Sequence, residues 1–248
     1  MQTDLEFIRT KSQNITPALD VSVEGLIKFN ADNKGMYFVN YPLEDWDNWA
    51  EALVTDRAGL VSSKLTPSDR AGLILDAFFL SRADLLPYVK PLQLARYLTR
   101  EKHLTPWSIA LSSFQTIQRY MLTTEHRTAL MQYFKQLAQP LYEELGWNDT
   151  NGSDTDRRLR AAIIEFVCSQ YHKPCLEMAL MEYSKWKSGQ QLAPNLLTST
   201  LRYAIRQSTD RNDWDFLWTK YTNETSASVK LTYLNALSYT TDPALINL

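Results

Sequence analysis

Glycine is scarce in this sequence, with seven in 248 residues. A β-sandwich needs many tight turns, and glycine is the residue that tolerates their left-handed backbone. So few glycines, with ten prolines set at segment edges, are the punctuation of helices joined by short links. Charge of one sign is also lacking: 26 basic residues stand against 28 acidic ones, a net −2. Binding to a phosphate backbone takes a basic excess on one face, so nucleic acid is not an expected partner. No apolar run approaches the ~20 residues that span a bilayer, so no membrane contact by this segment is expected. The stretch Met1-Gln2-Thr3-Asp4-Leu5-Glu6 has neither the basic nor the apolar region of a signal peptide. Cysteine is limited to Cys168 and Cys175, with six residues between them, and that spacing alone leaves two free thiols and a bonded pair both open.

The patterns that carry chemistry are missing as well. There is no H-E-x-x-H helix, no nucleophile elbow and no phosphate-cradling glycine loop. His103, His126 and His172 are scattered, and His172 between the two cysteines does not make a zinc-ligand spacing; it reads as a surface or capping residue. Glu143 and Glu144 are adjacent and point in different directions on a helix, a solvated face rather than a carboxylate pair. Trp46 with Trp49, and Trp214 with Trp218, have the spacing of a buried helical face; a stacking platform for a ligand is the sharper alternative. Arg157, Arg158 and Arg160 beside Asp154 and Asp156 read as local ion pairing at a helix start, against recognition of a peptide carboxylate.

What is present is a change of period. Leu5-Glu6-Phe7-Ile8, Leu26-Ile27-Lys28-Phe29 and Met36-Tyr37-Phe38-Val39 are β-prone, and the turn-forming Asn30-Ala31-Asp32-Asn33-Lys34-Gly35 between the last two signals a hairpin. From Pro42 onward apolar residues recur three and four apart, beginning with Leu43, Trp46, Trp49, Ala50 and Leu53. Thr66-Pro67-Ser68 starts a helix whose face is Ala71, Ile74, Ala77, Phe78 and Ser81. Further helical runs are expected at about 91–101, 106–121, 124–145, 156–170, 173–187, 194–207, 212–221 and 227–239, with Pro140 expected to kink or break one of them. Short links make neighbouring helices antiparallel, and stacked pairs bury one another's apolar faces. The expected fold is mainly α, an irregular α-solenoid of antiparallel helix pairs behind a short N-terminal β segment. Sequons occur at Asn14, Asn148, Asn151 and Asn223, more than the roughly two that chance supplies. Asn148 and Asn151 lie in a polar stretch and are the best acceptors for N-glycosylation.

The wording of several segments is specific. Leu26-Ile27-Lys28-Phe29-Asn30 followed by Gly35-Met36-Tyr37-Phe38-Val39-Asn40-Tyr41 resembles the W-I-K-F-N … G-Y-Y-R-V-N-Y signature of the aminopeptidase N family of zinc peptidases. Asp69 to Phe78 is similar to its D-R-A-x-L-I-x-D-A-F, Tyr97 to Glu101 to its Y-L-x-x-E, and Pro106-Trp107 with Ala110 to its P-W-x-x-A. Leu159-Arg160, Cys168 and Cys175, then Pro194-Asn195-Leu196 and Trp214 to Trp218, follow in the family's order. Departures are Leu26 for the signature Trp, Phe38 for its Arg, Pro42 for the Asp that often follows, and Leu197 for the Arg after P-N-L. A second family disulfide would fall at Arg202 and Tyr239, and both cysteines are missing together.

The resemblance implies residues 1–41 as the end of a β-sandwich domain and 42–248 as a helical C-terminal domain cut short of its usual end. It implies a Cys168–Cys175 disulfide and a secretory, extracellular or lumenal setting, with the parent protein anchored by an upstream segment. Zinc would belong to a catalytic domain that this sequence lacks. The implied partners are that catalytic domain and a peptide substrate, with the helices forming a bowl that closes the peptide chamber and limits substrate length. The alternative is a stand-alone helical interaction or regulatory protein, with a homodimer through exposed helical faces.

Overall fold

The structure, a computed structural model, describes residues 26–121 and 126–246. Its helices are α1 (Leu43–Val54), α2 (Pro67–Arg82), α3 (Val89–Ala95), α4 (Leu104–Tyr120), α5 (His126–Leu145), α6 (Asp154–Ser169), α7 (Lys173–Lys187), α8 (Leu197–Gln207), α9 (Arg211–Asn223), α10 (Ala227–Leu237) and the short α11 (Pro243–Ile246). No strand forms among the described residues, and the protein is mainly α. It divides into two compact units. One holds the described residues up to Glu101 together with Thr105–Ser113; the other holds Lys102–Leu104 together with those from Phe114 onward.

The first unit is built on α2. Thr66 caps this helix reciprocally: its hydroxyl accepts from the Asp69 amide at 3.1 Å, and the Asp69 carboxylate accepts from the Thr66 amide at 3.1 Å. Pro67 occupies the first turn, where its missing N–H costs nothing. The expected face of Ala71, Ile74, Ala77, Phe78 and Ser81 is buried, but so are Leu73 and Leu80, and with them the charged Asp69, Arg70 and Asp76. A helix buried all round belongs to the middle of a unit rather than to its surface. Helices α1 and α2 both pack on α3. Trp46 and Trp49 are core residues rather than a ligand platform, with Tyr41 set edge-on to Trp46 at 5.1 Å.

In the second unit consecutive helices pack on one another from α5 through α8; α10 packs on both α8 and α9. Ser153 and Asp156 cap α6 in the same reciprocal manner as Thr66 and Asp69 cap α2. Phe134 stacks on Phe114 with ring centres 3.9 Å apart, and Tyr183, Leu201, Leu217, Tyr233 and Leu237 form a second cluster. Helix α5 continues through Pro140 without a break. Pro140 and Gln136 are both exposed, so the carbonyl left without its helical donor faces water.

The hairpin expected within residues 26–39 is not formed, while Leu5–Ile8 lies outside the described residues. Leu26 makes a single bridge, and Ala31–Asn33 is a 3₁₀ turn. Asn30, Asp32 and Asn33 all have φ of 56°, a region these short polar side chains tolerate. The Asn30 amide accepts from the Gly35 N–H at 2.7 Å and donates to the Gly35 carbonyl at 3.0 Å, so a side chain takes bonds that a facing strand would otherwise make. The Asp32 N–H donates to Asp69 at 2.7 Å, and Phe38 stacks on Phe79 at 3.7 Å. Gly72 permits this approach, since a Cβ there would stand 3.1 Å from the Asn33 side chain. The segment is therefore laid along α2. The expected helix over 91–101 is also shorter: it tightens to 3₁₀ winding from Arg96 and ends at an extended Glu101.

Burial leaves one carboxyl poorly compensated. Asp76 is about 1% exposed, and its Oδ2 has no hydrogen-bond partner. Desolvation raises its pKa to about 6, against the pull of Lys28 and a bond from the Val39 backbone. Lys28 is itself lowered by burial, with Asp69 and Asp76 opposing. A carboxyl raised in the fold contributes stability that is complete below its unfolded pKa and is lost as pH rises through its folded one. The window runs from about pH 4 to pH 6–7. Asp76→Asn should remove this slope, so that the variant gains about 2–3 kcal/mol relative to wild type between pH 4 and pH 7. Urea unfolding at both pH values measures it, and a pH-independent difference would contradict the assignment.

Candidate functional site

The best-organised polar constellation of the first unit gathers residues from separate stretches of chain. Arg70, on the second turn of α2, is about 2% exposed and Glu101 about 1%. The Arg70 Nε donates to Glu101 Oε2 at 2.6 Å and its Nη2 to Oε1 at 2.9 Å, a two-pronged bond that matches planar guanidinium to planar carboxylate. The remaining nitrogen, Nη1, donates to the carbonyls of Leu65 at 2.7 Å and Val61 at 3.2 Å. On the other side, the Trp107 indole N–H donates to the Glu101 carbonyl at 2.9 Å. Burial opposes the charge on Arg70, but its bonds to Glu101 and that carboxylate's charge carry the guanidinium above its ordinary value.

Beside it lies the Asp69 station. Asp69 Oδ1 accepts from the Asp32 amide, and the Thr66 hydroxyl lies 2.9 Å from both Asp69 Oδ2 and Asp32 Oδ1. Adjacent residues Asp69 and Arg70 thus face opposite ways: one holds the incoming segment 26–41, the other holds the turn before α4. Sequence reasoning treated these as separate packing motifs. It missed Lys28 and Asp76, whose signal was an aspartate seven residues after Asp69, on the same face of α2. The constellation holds chain segments in place. The donors of Arg70 and the acceptors of Glu101 are matched to one another, while Asp76 Oδ2 is left without a partner.

The other candidate residues are dispersed. Cys168 and Cys175 form a disulfide with Cα atoms 5.2 Å apart, tying the end of α6 to the start of α7. His172, at the cap position of α7, sits edge-on to Tyr142 at 5.5 Å, and burial lowers its pKa. Arg160 is buried and bonded to Asp149 at 2.9 Å and to the Leu145 carbonyl at 3.1 Å, so it closes the loop before α6. Arg158 pairs with Asp154 on the surface. Trp214 and Trp218 stack at 5.3 Å, with Trp218 exposed. Arg202 and Tyr239 meet in space, the guanidinium 5.3 Å from the ring centre. Asn148 is exposed and accepts from both the amide and the hydroxyl of Thr150, at 3.1 and 2.7 Å. Asn151 and Asn223 are exposed too, whereas Asn14 lies outside the described residues.

A zinc ion needs neutral imidazoles, thiolates or carboxylates converging on one point. Among the described residues no three His, Cys, Asp or Glu side chains converge in that way, and both cysteines are spent in the disulfide. The described residues do not fit a zinc site.

Residues 26–247 match the family model described as the ERAP1-like C-terminal domain. Glutamyl aminopeptidase of Rattus norvegicus is 33% identical over 242 residues, covering 97% of this chain and 25% of that protein. Glutamyl aminopeptidase of Homo sapiens is 30% identical over 244 residues, with 97% and 25% covered. The thyrotropin-releasing hormone-degrading ectoenzyme of Homo sapiens is 31% identical over 226 residues, with 88% and 21% covered. The chain spans about a quarter of the length of these relatives.

The buried pair makes a testable demand. Arg70→Met strands the Glu101 charge in the interior and should cost about 3–5 kcal/mol, whereas Arg70→Met with Glu101→Leu should recover most of it. Chemical denaturation of the single and double variants decides. A single substitution costing under about 1 kcal/mol would show that the pair does not hold the unit together.

Proposed function

The chain belongs to the family of ERAP1-like C-terminal domains, and from that premise we propose that it is the non-catalytic helical part of a zinc aminopeptidase, the bowl that closes the peptide chamber and helps set substrate length. The observation that carries this reading is the family match over 26–247, a span within which Arg70, Glu101 and Trp107 meet in one buried network. Peptide-bond hydrolysis of this kind takes a metal-activated water, which zinc would supply in the parent's catalytic domain. This chain's own contribution is shape. Packed helices present a fixed wall, and a fixed wall can admit one length of peptide and refuse another.

The purified chain should hydrolyse no peptide. Grafted in place of the matching quarter of rat glutamyl aminopeptidase, it should change how rate depends on peptide length while the preference for the first residue stays. Chelator-sensitive hydrolysis by the chain alone, or a graft with an unaltered length profile, would count against the reading. An extracellular or lumenal setting is part of the same proposal, supported by a relative named an ectoenzyme and by the disulfide. Secreted protein should then carry N-glycan, with Asn148 as the first acceptor. Its mass after glycan removal and without reduction should fall two protons short of the reduced form. An unmodified mass from a secreting cell would argue otherwise.

One observation favours a second reading. Leu231 and Leu234 on α10, with Ile246 beyond, are exposed at 57%, 44% and 64%. Such a face suits a second copy of the chain in a free-standing helical interaction protein. Sedimentation decides: a monomer at all concentrations removes this reading.

A further inference from the structure

A cleft of about 430 Å³ lies between α1 and α3 in the first unit, toward the small end of the range of about 300–1,000 Å³ seen for ligand pockets. Its lining is apolar at Ala50, Val54 and Val89 and charged around them. Asp47 and Glu51 stand one turn apart on α1, on one face of that helix. Lys90 belongs to α3, and Arg96 is the residue that follows it at its cap. Lys90 and Asp47 satisfy each other, with both carboxylate oxygens 2.6 Å from the ammonium. That leaves Glu51 and Arg96, whose side chains make no bond to another described residue, and Gln93 on the α3 side, which can donate and accept.

We propose that this cleft binds a dipeptide-sized zwitterion, its ammonium on Glu51 and its carboxylate on Arg96. The charge count selects that class. Two acids and two bases line the cleft, and one pair is already closed. A ligand with a net charge would leave either Glu51 or Arg96 facing a like charge or no charge. A zwitterion answers both, and a phosphate or a metal ion answers one. The apolar lining of Ala50, Val54 and Val89 receives a small aliphatic side chain, and the Gln93 amide can meet a peptide group. The site concerns this chain's own first unit and stands independently of the chamber reading.

Isotopic labelling of the whole chain and titration with L-alanyl-L-valine, followed by amide chemical shifts, tests it. Saturable shifts confined to α1 and α3 are expected at millimolar concentration. Glu51→Gln and Arg96→Gln should each weaken binding roughly tenfold or more, since each removes a charge-assisted bond. N-acetyl-alanyl-valine should bind wild type as weakly as the free dipeptide binds the Glu51 variant, and that variant should weaken it no further. Alanyl-valine amide should behave likewise with the Arg96 variant. Glu182→Gln, in the other unit, should change nothing. Both cleft positions are exposed, so the variants should keep the wild-type thermal unfolding curve. Absence of saturable shifts to about 20 mM, equal binding of capped and free dipeptides, or indifference to both substitutions overturns the proposal.

Discussion

The first unit depends on one ion pair out of reach of water. Taking Arg70 and Glu101 out of solvent costs several kcal/mol per ion, and their attraction offsets this only with full hydrogen bonding. The geometry meets that condition: every nitrogen of the guanidinium donates, and the Glu101 backbone receives the Trp107 indole. Apolar side chains of similar volume could fill the same space with equal stability. They would not fix which turn of α2 faces the turn before α4. We read the pair as a device for register: an aliphatic contact slides at little cost, whereas a two-pronged bond in an apolar setting does not.

That constraint explains why α2 reads oddly as an amphipathic helix. It has apolar residues all round, and its three buried charges sit at positions a surface helix would give to solvent. Each is committed to another segment. Asp69 receives the backbone of the turn 31–33, Arg70 reaches Glu101, and Asp76 lies under Val39 within reach of the Lys28 charge. The first two are satisfied and the third only partly, which is why burial moves its titration so far.

Helix existence was legible because it rests on local rules. The start signal Thr66-Pro67-Ser68, proline in the first turn and the three-and-four spacing each act within a turn or two of chain. Residues 26–39 were misread by the same rules. Leu26 to Phe29 and Met36 to Val39 have strand-like composition, but composition reports only that a side chain suits a half-buried extended surface. What decided the outcome was distant: α2 supplies the acceptor for Asp32 and the ring for Phe38, and Asn30 bonds its own loop. The joint at Arg70 was legible only as separate strings of letters. That they close one network is a fact of three dimensions, since Glu101 lies 31 residues from Arg70.

The second unit is held by a different means. A disulfide restricts the unfolded chain between α6 and α7, and its loop is short, so the stabilisation is a few kcal/mol at most. Where the resemblance would place a second cystine, this chain has Arg202 and Tyr239, a cation over an aromatic face. Arg202 also pairs with Glu165 of α6 at 2.9 Å, and Tyr239 lies edge-on to Tyr203 of α8 at 6.0 Å. The α6–α8 contact and the chain after α10 are therefore coupled through one guanidinium. The two clamps differ in kind: the covalent one acts mainly on the unfolded ensemble and is indifferent to salt, while the electrostatic one is partly exposed and weakens as ions screen it. The electrostatic clamp holds Arg202 and Tyr239 together beside α8, where Tyr239 meets Tyr203.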